Sequence, residues 1–65
     1  MDDKTIKILY VEDEIDHAIL MREIIKEIKN VHYDMTHVQK LDEALLELDK
    51  ERYDIIMLDL TLPDR

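Results

Sequence analysis

Glycine and cysteine are both missing from the 65 residues, proline occurs once, and positive charge is scarce. Without cysteine no disulfide can staple the chain, and no thiolate can bind zinc. A domain of this length buries only about 60% of the surface its unfolded chain exposes, so it is marginal unless paired or stapled. Without glycine, every turn has to be made from other residues, which is unusual for a chain with several turns. One reading is that the turn-rich part of a larger domain lies beyond Arg65. No apolar run approaches the roughly 20 residues of a membrane span, and the first residues lack the basic-then-apolar order of a signal segment. A soluble, cytoplasmic protein without a membrane partner is the expectation.

Nine Lys and Arg stand against 17 Asp and Glu, for a net charge of -8. Such a surface repels a phosphate backbone, so nucleic acid is not an expected partner. Most of this acidity serves solubility. Apolar residues make up 46% of the chain, ample for a folded core.

The pattern alternates strands and helices. Residues 6–11 form an apolar run that reads as a buried strand. Asp13 or Glu14 is placed to cap the helix that follows. Over residues 15–29, Ile15, Ala18, Ile19, Arg22, Ile25 and Ile28 recur on one face, Met21 and Ile24 widen the stripe, and Lys26 and Lys29 suit the C-terminal end. Residues 33–38 alternate weakly, like a strand at a sheet edge. Residues 41–50 are amphipathic through Leu41, Ala44, Leu45 and Leu48. Residues 55–58 read as a strand covered on both faces, and Pro63 marks departure from the sheet. The order strand, helix, strand, helix, strand predicts an α/β parallel sheet.

Two of these strands end in acid. The first runs into Glu12, Asp13 and Glu14; the third delivers Asp59. In an open parallel sheet, ligands sit beyond the carboxyl ends of the strands where strand order reverses. With the order second-first-third, Glu12, Asp13 and Asp59 crowd together there. Carboxylates held so close repel, so that one keeps a proton or a divalent cation is recruited. Oxygen-only ligands suit Mg²⁺, which can also align a phosphoryl group for in-line attack by a carboxylate. A strand-end acid more often just caps the next helix; three of them after two apolar strands point to a site.

The runs ILYVEDE (8–14) and DIIMLDLTLPD (54–64), with DEALLEL (42–48) between them, resemble those of response regulator receiver domains of two-component signalling. The resemblance covers essentially the whole chain and implies a partial flavodoxin-like fold, residues 1–65 corresponding to the N-terminal half of a receiver. It implies that Asp59 is the phospho-acceptor, with Asp13 a direct Mg²⁺ ligand. Glu12 would be the second member of the acidic pair, acting through water, and Thr61 would offer a backbone carbonyl to the metal. It also implies a histidine kinase or phosphotransfer protein as donor, and a module that signals without being an enzyme. The later Ser or Thr, the Lys and the aromatic of such domains have no counterpart, so switching by this chain alone, and more than weak Mg²⁺ binding, are not expected.

An open third-strand edge predicts a homo-oligomer, most simply a two-fold dimer that joins third strands antiparallel. The rival reading is accordingly a self-associating half-domain without phosphotransfer. A phosphohydrolase is disfavoured because Asp13 is followed by Glu14 and Ile15 rather than by the Asp-x-Asp pattern of that class. His17, His32 and His37 show no ligand spacing and are expected at the surface or its boundary; Tyr10 is expected to pack within the first strand or at its rim.

Overall fold

A computed structural model of the chain describes residues 5–59. In order along the chain, β1 is Thr5–Glu12, α1 Ile15–Lys26, β2 His32–Val38, α2 Leu41–Lys50 and β3 Ile55–Asp59. The strands form one parallel sheet in the order β2-β1-β3, as expected, with β2 at an edge.

Side chains alternate faces along a strand, and parallel neighbours in register share a face. From this alternation follow two cores. Ile8 and Tyr10 of β1 point to the α1 side, where they are buried with Ala18 and Met35, and with Ile6, Met21, Ile25, Tyr33 and Met57 packed around them. Leu9 and Val11 point to the α2 side and are buried with Ala44, flanked by Val38 and Tyr53. A central strand sandwiched between helices needs apolar residues on both faces, which is why residues 8–11 form an unbroken run.

The start of β3 is tied to β1 by an exchange of bonds. The Lys7 amide donates to Asp54 Oδ2 at 2.9 Å, and the Asp54 amide donates to the Lys7 carbonyl at 2.8 Å. The Lys7 ammonium pairs with Glu51 and lies 5.3 Å from the centre of the Tyr53 ring. These contacts set the register that pairs Ile8 with Ile55 and Glu12 with Asp59.

Several expectations are corrected. Helix α1 stops at Lys26 instead of residue 29: the Glu27 and Ile28 amides turn back to the carbonyls of Ile24 and Ile25, each at 3.1 Å. Asn30 then takes a left-handed conformation with φ 72, a geometry that Asn tolerates better than other residues with a side chain. In a chain without glycine it is the natural occupant. Glu14 sits at the cap position of α1, but its carboxylate makes no capping bond.

The buried faces are also narrower than the periodicity predicts. Ala18 is the one buried residue of α1, whereas Ile15, Ile19, Ile24 and Ile28 are exposed, and in α2 Ala44 is buried whereas Leu41, Leu45 and Leu48 are exposed. Three strands span only about 10 Å, roughly the diameter of one helix, so each helix can seat one line of residues on the sheet. Both helices pack over β1 and β2, and neither packs over β3. Strand β3 is therefore not covered on both faces: Ile55, Ile56 and Leu58 are 41%, 50% and 59% exposed, and Met57 alone is half-buried. Pro63 lies outside the described residues.

Candidate functional site

At the carboxyl end of β1, period two puts Glu12 on the α1 face, two residues beyond Tyr10. The register sets Asp59 beside Glu12 and Met57 beside Tyr10 on one side, and His37 beside Tyr10 on the other. One patch of the sheet thus gathers two carboxyls, a phenol and an imidazole.

Glu12 is wholly buried, and both oxygens of its carboxylate are engaged. The Tyr10 hydroxyl donates to Oε1 at 2.8 Å, and the Glu14 amide donates to Oε2 at 3.2 Å. His17, on the first turn of α1, brings Nδ1 to 3.5 Å from Oε2 while its Nε2 lies 3.7 Å from Glu14 Oε1. On the opposite side, His37 Nε2 is 2.9 Å from the Glu12 carbonyl oxygen, and its ring lies 5.9 Å from that of Tyr10.

These contacts decide the charge. Burial pushes the Glu12 carboxyl up, but the Tyr10 hydroxyl, the Glu14 amide, the neighbouring Asp59 carboxyl and the nearby His17 ring together bring it below its ordinary value. Asp59 moves the other way. The negative charge of Glu12 raises it first, then their hydrogen bond and burial; His17 opposes, and Asp13 adds a further upward push. Of the two acids, Asp59 is therefore the one that takes up a proton first as pH falls. Burial, the bond to Glu12 and nearby negative charge push the Tyr10 phenol up to about 12, so it remains a donor at neutral pH.

Of the four residues expected at the site, the structure brings Glu12 and Asp59 into contact and sets Asp13 close enough for its charge to be felt at Asp59. Asp13 is exposed and takes part in interactions of its own. Thr61 lies outside the described residues. An oxygen-only donor set suits Mg²⁺ chemically, yet among the described residues no three His, Cys, Asp or Glu side chains are gathered to hold a metal ion. Glu12 in particular has both oxygens already accepting hydrogen bonds, which fits a residue that acts from behind a ligand rather than as one.

No family model, curated protein or solved structure matches the chain. Its chemistry has to be read from these residues.

Three participants were not assigned to the site from the sequence. Tyr10 was expected to pack, and it does, but its hydroxyl also grips Glu12; period two from Glu12 is the signal that finds it. His17 is exposed as expected, yet its ring reaches Glu12 across the turn into α1. His37 required the register of β2, which no local pattern supplies. Among the described residues, no helix is long and apolar enough to cross a membrane.

Proposed function

We propose that the chain carries the phospho-accepting part of a receiver domain, with Asp59 as the acceptor, in a flavodoxin-like arrangement of which it forms the first three strands. The observation that supports this best is the pairing of Glu12 with Asp59 at the carboxyl ends of adjacent parallel strands, next to Asp13. Asp59 is exposed at the strand end, where a donor can reach it, while Glu12 is buried beneath.

In this reading a carboxylate oxygen of Asp59 attacks the phosphorus of a phosphohistidine. The P–N bond breaks, and an acyl phosphate forms on Asp59. Only the ionised form of Asp59 can attack, and the neighbouring charge of Glu12, which pushes its carboxyl up, works against that form. Asp13 and Asp59 are the residues that would hold Mg²⁺, with Glu12 behind them and the Thr61 carbonyl as the further ligand. When bound, the cation would offset the charge of the acids and of the incoming phosphoryl group. Burial and three hydrogen-bonding partners keep Glu12 fixed as this exchange takes place above it.

The test is incubation with acetyl phosphate and Mg²⁺ followed by intact-mass measurement. A gain of one phosphoryl group that disappears in Asp59→Asn is the expected result. No gain, or a gain that survives the substitution, would remove Asp59 from the role.

A second reading is carried by a different observation, the exposure of Ile55, Ile56 and Leu58 on β3. Among the described residues β3 has no neighbour beyond it, and an apolar strand with one free edge is a template for pairing with another copy. In this reading the chain is a self-associating half-domain without phosphotransfer, and β3 strands meet across a two-fold axis. A stable dimer in sedimentation, with no phosphoryl adduct, would favour it over the first.

A further inference from the structure

At the opposite end of the sheet from the acids, a cavity of about 780 Å³ opens between the second half of α1 and the beginnings of β1 and β2. This is the size of a small-molecule site. Its apolar floor includes Ile6, Ile25 and Met35, which are buried or half-buried; Arg22, Lys26 and His32, all exposed, supply its polar lining. Asn30, held in the left-handed turn after α1, also faces it.

The charge of this lining runs against that of the molecule. Among the described residues, none of the ten that line it is acidic, in a chain where 17 of 65 are Asp or Glu. Lys26 sits in the last turn of α1, where a cation suits the helix dipole with or without a ligand, and its ammonium is 3.9 Å from Glu23. Arg22, a turn earlier, has neither reason: among the described residues no ion pair involves it. An unpaired guanidinium beside an apolar floor is complementary to an anion that carries an apolar body. At physiological salt the screening length is about 8 Å, so the acids at the far end of the strands act on such a ligand only weakly.

We propose that this cavity binds a small amphipathic anion, a carboxylate on an aliphatic tail, with the head at Arg22 and Lys26 and the tail on Ile6, Ile25 and Met35. The site is separate from the acidic end of the sheet, so it stands whether or not Asp59 accepts phosphate.

The 65-residue chain, with ¹³C-labelled Ile, Leu and Met methyls, is titrated with sodium octanoate below its micelle concentration, and in parallel with octanol and octyltrimethylammonium. Octanoate is expected to shift the methyls of Ile6, Ile25 and Met35 and to leave those of Leu45, Leu46 and Ile56 in place. Octanol is expected to bind roughly tenfold more weakly, the effect of losing one good charge contact, and octanoate on the Arg22→Glu, Lys26→Glu double variant, which reverses two charges, at least as much more weakly. The milder Arg22→Gln, with its methyl spectrum otherwise unchanged, is expected to show part of the loss, which separates lost binding from lost fold. Equal binding of octanol, stronger binding of octyltrimethylammonium, shifts spread over the exposed leucines, or no shift at millimolar octanoate would each overturn the proposal.

Discussion

Glu12 keeps its charge where a carboxylate ordinarily loses it, wholly enclosed between α1 and the sheet, because its surroundings were built from donors. The Tyr10 hydroxyl is the most deeply placed of these. Removing it leaves a buried charged acceptor short of a partner, so Tyr10→Phe should cost about 1–3 kcal/mol in urea unfolding while the ring still fills the core. A loss well below that range would mean that water or Asp59 takes over the bond. The two acids also make a signed prediction. Glu12 is pushed down, so its contribution is present above the ordinary carboxylate range and is lost as pH falls through its depressed value; Glu51, pushed down by its bond to Lys7, follows it. Asp59 is pushed up, so its contribution is present at low pH and is lost as pH rises through its raised value. Melting temperature should therefore rise on mild acidification from neutral pH and then fall in stronger acid. In Asp59→Asn the rise should vanish and the acid fall remain; a wild-type profile in that variant would show that Asp59 is not the group that titrates. At this scale the acids were legible in the sequence because each ends an apolar run. Tyr10 and the histidines were not, since packing and hydrogen bonding use the same residue types and only register tells them apart.

At the scale of elements, period and position were readable but depth of burial was not. The apolar run over residues 6–11 and the stripe over residues 41–50 reflect what each backbone geometry presents to its neighbours, which the order of residues encodes. How much of that side is covered depends on the width of the partner, and a sheet as wide as one helix covers little. Core substitutions should therefore separate sharply from stripe substitutions of the same chemistry. Leu9→Ala, in the central strand with no exposed surface, should cost about 2–5 kcal/mol by the general cost of core truncation. Leu45→Ala, on the open face of α2, should stay within about 0.5 kcal/mol. Equal losses would mean that Leu45 is covered in solution by something beyond the described residues. The α1–β2 turn offers a second check. Only Asn30 has a left-handed backbone among the non-glycine residues described, and a branched side chain there would clash with the following carbonyl. Asn30→Val should cost about 1–2 kcal/mol in the same unfolding experiment, and Asn30→Gly should cost nothing.

For the whole molecule two forces oppose one another, and their balance decides whether the chain stays single. The net charge of -8 pushes copies apart, while the exposed Ile56 and Leu58 of β3, on an edge with free backbone groups, draw them together. The repulsion acts through solvent and is screened: its range falls from about 30 Å at 0.01 M salt to about 3 Å at 1 M. Apolar contact and strand pairing are short-ranged and survive that change. If copies meet through β3, the dimer fraction in sedimentation velocity should therefore increase with sodium chloride. Ile56→Lys, which sets a charge on the exposed strand and so disfavours its pairing with another edge, should abolish the increase without moving the melting temperature of the dilute chain. A dimer that instead dissolves as salt rises would have to be held by ion pairs. Contacts such as the Lys26–Glu23 and Lys50–Glu47 pairs lie within single helices and could contribute only by exchanging partners, so that outcome would move the interface from β3 to the charged helix faces.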